Sequence, residues 1–202
     1  MRVLLSLCIF VLASCEQHVN DLEDINKPPV FSEQDRHFAD VYKLLDGTWK
    51  GRFLIYEDTT LVPKQEAKLK QLTKADLKGL QLIDHLDVTQ VYTSESPYFQ
   101  RVTITDQFKD GSVAVSKGVN KVVNGEMWCI VHKPDKIVIH EGATDGANTI
   151  IWSSNETSPQ VIEYFQETVE AERYEIIGWG YYDGDDPTLS PRLWFYSEYQ
   201  RQ

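Results

Sequence analysis

Cys129, His132, His140 and Glu141 lie close together and offer thiol, imidazole and carboxylate groups suited to a metal site or an activated nucleophile. Lys133-Pro134-Asp135-Lys136 reads as a tight turn. Strands folded back on it set 132 opposite 137 and 129 opposite 140. Side chains alternate faces along a strand, so His132 points away from His140, and the two cannot share one metal without a bulge. Cys129 and His140 meet on one face. The pair still needs a third ligand or an orienting acid, and periodicity supplies none. Asp183, Asp185, Asp186 and Glu198 offer oxygen ligands for calcium, but Pro187 stands where the EF-hand spacing needs a ligand. They read as a solvated acidic loop. No Gly-rich phosphate loop and no Gly-x-Ser-x-Gly elbow occurs. These patterns assign no catalytic residue, no metal and no cofactor.

The elements that must position such residues are mostly strands. Strand patterns run over 48–56, 88–94, 98–108, 113–123, 126–132, 137–141, 149–153, 161–168, 174–182 and 192–199. Asn124-Gly125 has the composition of a type I′ hairpin turn. Ser32 can cap a short helix, with Phe38, Val41 and Leu44 or Leu45 at helical spacing and Gly47 as its stop. Residues 64–86 are ambiguous between a short helix and two irregular strands: Thr73 and Asp76 form a capping-box pattern, while Gly79 and Asp84 oppose a helix. About ten strands joined by short turns, without helix–strand alternation, predict an all-β, antiparallel up-and-down barrel. One or two short helices accompany it, the first N-terminal to the barrel.

The chain starts with a short basic and apolar stretch, Met1 to Ala13, too short to cross ~30 Å of hydrocarbon. It reads as a signal peptide over 1–14. Leu12-Ala13-Ser14-Cys15 resembles the bacterial lipobox, which implies lipidation (palmitate or a similar acyl chain) of Cys15, a tether over 15–31 and a domain over 32–202. Glu16 after that cysteine implies delivery to the bacterial outer membrane by the sorting rule of enteric bacteria. The implied location is the cell envelope, with the lipid anchor as the sole link to the membrane.

Gly47-Thr48-Trp49-Lys50-Gly51 opens the first strand after the short helix and resembles the Gly-x-Trp opening of the calycins, the superfamily of lipocalins and fatty-acid-binding proteins. The resemblance implies that Trp49 plugs one barrel end and that an Arg of the last strand lies over its indole. Arg192 begins that strand and Arg201 ends it, and the sequence does not choose between them. The second lipocalin motif is absent, with Thr105-Asp106 its nearest approach, which favours a lipocalin-like outlier. Pro97-Tyr98-Phe99-Gln100-Arg101-Val102 is faintly similar to a run in phycobiliprotein lyases, also calycin barrels.

Of 202 residues, 20 are Lys or Arg and 31 are Asp or Glu, a formal net charge of -11 that argues against nucleic acid or an anionic membrane as a target, since both need a surplus of cations. With Cys15 modified and residues 1–14 removed, Cys129 is alone, and stability falls to a packed core. All five Trp lie on strand segments. An aromatic cavity walled by Trp128, Trp179, Tyr181 and Tyr196 is therefore expected. The expected function is binding or carrying a small hydrophobic ligand. An envelope enzyme (lyase-like or hydrolytic) and a scaffolding lipoprotein with a filled barrel are the alternatives.

Overall fold

A computed structural model describes residues 22–157 and 159–202. Cys15 and the signal peptide lie outside the described residues. Ten antiparallel strands form one closed barrel in sequence order: β1 (Gly47–Glu57), β2 (Gln81–Ser96), β3 (Phe99–Gln107), β4 (Val113–Val123), β5 (Glu126–His132), β6 (Ile137–Thr144), β7 (Thr149–Thr157), β8 (Gln160–Val169), β9 (Arg173–Tyr181) and β10 (Leu193–Arg201). β1 pairs with both β2 and β10, so the sheet has no free edge.

Local chemistry sets the registers. Asn124 and Gly125 take φ of 54° and 79°, as a type I′ turn requires, and β4 and β5 pair from Val123 opposite Glu126 onward. The turn at 133–136 sets Cys129 opposite His140 and His132 opposite Ile137. β2 starts at Gln81, seven residues before the sequence pattern suggests. Ile83 extends the helical row of Leu69, Leu72 and Leu80 and so masks the strand start.

The expected N-terminal helix is two short 3-10 turns, Glu33–Phe38 and Lys43–Leu45. Ser32 and Asp35 form the cap of the first, and the other carboxylate oxygen of Asp35 accepts the Gly125 N–H at 2.7 Å. These turns cover one barrel end. Residues 64–86 form neither a regular helix nor two irregular strands. Two 3-10 turns, Lys68–Lys70 and Lys74–Leu77, lead into β2, and Thr73 and Asp76 cap the second as the sequence suggests. Leu69, Leu72 and Leu77 of this strap lie on the outside of the barrel, against Ile177, Trp179, Trp194 and Tyr196. Leu22 and Ile25 similarly cover Phe99, Val119 and Ile130. The described part of the expected tether therefore lies against the sheet.

Candidate functional site

Trp49 defines the inside. Cross-strand partners share a face, so Gly51 pairs Tyr199 into the interior, and the parity then runs round the ring through Tyr174, Val169, Ile150, Met127, Val122 and Tyr92. This layer closes one end. Trp49 is 0% exposed, donates from its indole to the Leu45 carbonyl at 2.7 Å, and meets the Tyr174 ring edge-on at 5.6 Å. Arg201 resolves the open choice: its guanidinium carbon lies 4.2 Å from the Trp49 ring centre, and its N–H groups donate to the carbonyls of Leu44 and Asp46. This is a cation–π contact of roughly 0.5–2 kcal/mol. Gly47 leaves room for it, because its φ is +125° and a Cβ would meet the guanidinium 2.6 Å away. Arg192 sits at the opposite end, paired with Glu57 at 3.1 Å and Asp185 at 2.9 Å.

Beyond the closing layer the inward residues shrink and the barrel is hollow. A cavity of about 460 Å³ runs to the opposite end. Its wall is apolar, with Phe53, Val102, Ile104, Val131, Phe165 and Ile176. Its floor is polar: Gln90, Tyr92, Asn120, Trp152 and Glu167. Lys133, Lys136, Glu156 and Pro159, on or beside turns, mark its mouth. Two glycines create this shape. A Cβ at Gly178 would strike the Phe165 ring and the Tyr164 carbonyl, and one at Gly142 would strike the Trp152 indole. Phe165 and Phe195 thus close over β9 with ring centres 5.6 Å apart, and Trp152 lies against β6.

The four residues expected to wall the cavity face outward. Trp179 and Tyr181 belong to the face opposite Ile176 and Gly178. Trp179 stacks on Tyr164 at 5.6 Å and donates to the Leu69 carbonyl at 2.9 Å, while Tyr181 donates to the Leu189 carbonyl at 2.6 Å. Tyr196 lies under Lys74, with the ammonium 4.6 Å from its ring centre. Trp128 packs on the outer cluster of Phe99, Val119 and Ile130, which Leu22 and Ile25 also cover. Their hydrophobicity serves the covered outer face, and the strap over it was the element the sequence left ambiguous.

The interior acids of β8 were the ones missed. Cys129 and His140 share a face, as the turn register indicates, and that face is the inner one. The orienting acid comes from β8: Glu163 bonds His140 Nε2 at 2.9 Å and accepts from the Tyr182 hydroxyl at 2.6 Å. Burial pushes the Glu163 carboxyl up, but these two hydrogen bonds outweigh it and hold the group below the ordinary carboxylate range. Burial drives the Cys129 thiol far above its usual value, with Glu167 adding to the effect, so the pair stays a neutral thiol beside a fixed imidazole. Burial also raises Glu167 to about 7, against hydrogen bonds from Trp152 and Tyr174 that pull it down. The parity of β8 was the available signal: Glu163, Phe165 and Glu167 alternate with Ile162 and Tyr164, so the acids share a face with Phe165.

The remaining candidates are structural. His132 faces out and bonds the Glu23 carbonyl at 2.9 Å. Asp185 and Asp186 shape the β9–β10 loop by accepting the N–H groups of Tyr182 and Thr188.

No protein-family model and no curated protein matches the chain. Among solved structures, Rv2717c from M. tuberculosis is similar over 86% of this chain and 99% of its own, with 13% identity and a TM-score of 0.50. A de novo designed fluorescence-activating β-barrel is similar over 81% of this chain and 98% of its own, with 12% identity and a TM-score of 0.38. The DFHBI-bound barrel EF1p2_mFAP2b is similar over 82% and 99%, with 13% identity and a TM-score of 0.38. These likenesses concern the barrel fold alone.

Proposed function

We propose that this chain is a calycin-like lipoprotein of the cell envelope, anchored through Cys15, that carries a small, mostly apolar ligand inside its barrel. The observation that carries the reading is the cavity of about 460 Å³, which falls within the ~300–1,000 Å³ of small-molecule sites. Its apolar wall desolvates a ligand, and its floor of Gln90, Tyr92, Asn120 and Glu167 orients one polar end. The Arg201 clamp on Trp49 supports the calycin assignment. Outer-membrane delivery rests on Glu16 after the lipobox cysteine. A nucleophilic enzyme built on Cys129 is disfavoured by burial of the thiol. A fluorescent apolar probe tests the carrier function: it should bind at one site in the micromolar range, with emission rising on transfer from water. Flat emission up to 100 μM protein would remove the proposal.

A further inference from the structure

The cavity opens at the end of the barrel where the first described residues pass close to the Lys133–Lys136 turn. Glu23 lies beside His132, the residue before the Lys133–Lys136 turn at the mouth. From there the chain runs away from the mouth, its next carbonyls meeting Lys121 and Arg101, and reaches the 3-10 turns on the closed end. Seven peptide steps separate Leu22 from Cys15, and seven steps span at most ~25 Å.

The same end carries most of the exposed large apolar side chains among the described residues. Leu61, Val62, Leu82, Phe108, Val113 and Ile137 are each 40–57% exposed, and they ring the mouth from the end of β1 to the start of β6. Such a concentration marks an interaction surface. Lys109, Lys133 and Lys136 sit on the turns of this sector beside the exposed Asp110 and Asp135, with Lys109 paired to Asp84. The turns of the closed end are instead acidic and exposed, with Glu95, Glu126, Glu170 and Glu172. Val30, Phe31 and Leu44 are the exposed large apolar residues there. The acidic β9–β10 loop, with Asp183 and Asp186, borders the apolar sector at Leu61 and Val62, where the Ser190 N–H donates to the Val62 carbonyl at 2.7 Å.

The geometry points to a lipid bilayer as the partner of this rim: the barrel stands mouth-down on its own membrane, apolar sector inserted, and its ligand passes between bilayer and cavity without crossing water. Apolar side chains at the interfacial depth and Lys ammonium groups at the phosphates suit such docking, whereas the acidic closed end is repelled by anionic lipid. The inference rests on the lipid-anchor reading. It adds an orientation and a ligand source that the anchor alone does not require.

The test uses the processed protein in vesicles of phosphatidylethanolamine and phosphatidylglycerol. Nitroxide labels are placed on Ser112→Cys at the mouth and, separately, on Glu172→Cys at the closed end, both in a C129S background because Cys129 lines the cavity; an acylated Cys15 cannot react. Relaxation by dissolved oxygen, which enriches in lipid, is compared with relaxation by an aqueous nickel chelate. The expected result is oxygen dominance at 112 and nickel dominance at 172. Nickel dominance at both, or the reverse order, overturns the orientation while the anchor reading stands, provided that the intact mass shows Cys15 acylated. An unmodified Cys15 overturns both. A second arm uses the double variant F108S with V113S, neither residue lining the cavity. Uptake of a vesicle-borne apolar probe should slow at least tenfold with affinity in water unchanged; equal uptake rates overturn the docking.

Discussion

The two ends of the barrel are built from the same ten strands and solve opposite problems. At the closed end Trp49, Tyr42, Tyr174 and Tyr199 are almost wholly buried, and buried partners meet their polar tips: Trp49 bonds Leu45 and Tyr42 bonds the Lys121 carbonyl at 3.1 Å. Asp46 knits this end further by accepting from Ser94, Gln100 and Lys43. At the other end inward positions hold Val, Ile, Phe and acids, and a cavity of about 460 Å³ remains. Eight strands already give an interior just wide enough for side chains or one small ligand, and ten give a wider one. Large aromatic rings are what fill such a ring of strands. Where they stop, the interior is open. The comparison teaches that hollowness here is set by which inward layer receives the aromatics, not by their total number.

The largest expected effect follows from emptying the closed end. W49A should cost about 3–5 kcal/mol, as other aromatic-to-Ala core changes do, and lower Tm by about 10 °C in thermal denaturation followed by circular dichroism. A Tm within 2 °C of the parent would show that this end does not anchor the fold.

Next comes filling the open end. I176W directs an indole into the cavity and should weaken probe binding at least tenfold, with a Tm loss below that of W49A. Its counterpart on the outer face, W179A, should lower Tm through loss of the strap contact and leave probe affinity within twofold. Fluorescence titration of both variants checks the inner–outer assignment, which fails if W179A weakens binding more than I176W does.

Glu167 sharpens the boundary between the ends. Its folded value of about 7 lies above its ordinary value of 4.5, so the folded state holds more protons than the unfolded state between those pH values. Stability should therefore fall as pH rises through that window, by on the order of 3 kcal/mol in total. E167Q keeps the shape, removes the charge and should flatten this slope, raising Tm at pH 8 but not at pH 4. A parallel loss in parent and variant would place the pH dependence elsewhere.

The smallest effect concerns the two arginines. R201A loses the contact over Trp49 and the carbonyl bonds, for roughly 1 kcal/mol or somewhat more. R192A breaks half-exposed ion pairs and should cost less than about 1 kcal/mol. Urea denaturation ranks them, and the reverse order would contradict the clamp.

Much of this architecture is legible in the sequence because turn chemistry and the period of two are local. Asn124-Gly125 and Pro134-Asp135 set two registers, and the bounds of β4 and β5 follow from them. Facing was harder. Alternation shows that Trp179 and Gly178 are on opposite faces but not which is inside, because both faces of β9 and β10 carry large apolar side chains. Only Trp49 has a known side, and carrying its parity to β9 needs the β1–β10 closure, a contact between distant parts of the chain. The outer aromatics also depend on Leu69, Leu72 and Leu77, whose segment has no regular period. Glu163 and Glu167 were hidden by the reasonable rule that strand acids face water. The register that sets Gly178 beside Phe165 turns them inward.

The most direct test of the hollow end is methyl NMR of the labelled protein titrated with an apolar probe. The account predicts saturating shifts at Val102, Ile104, Val131 and Ile176, which line the cavity, and little change at Val119, Ile130 and Ile177, which face outward. Shifts confined to the outward set, with the inner methyls unmoved, would contradict it.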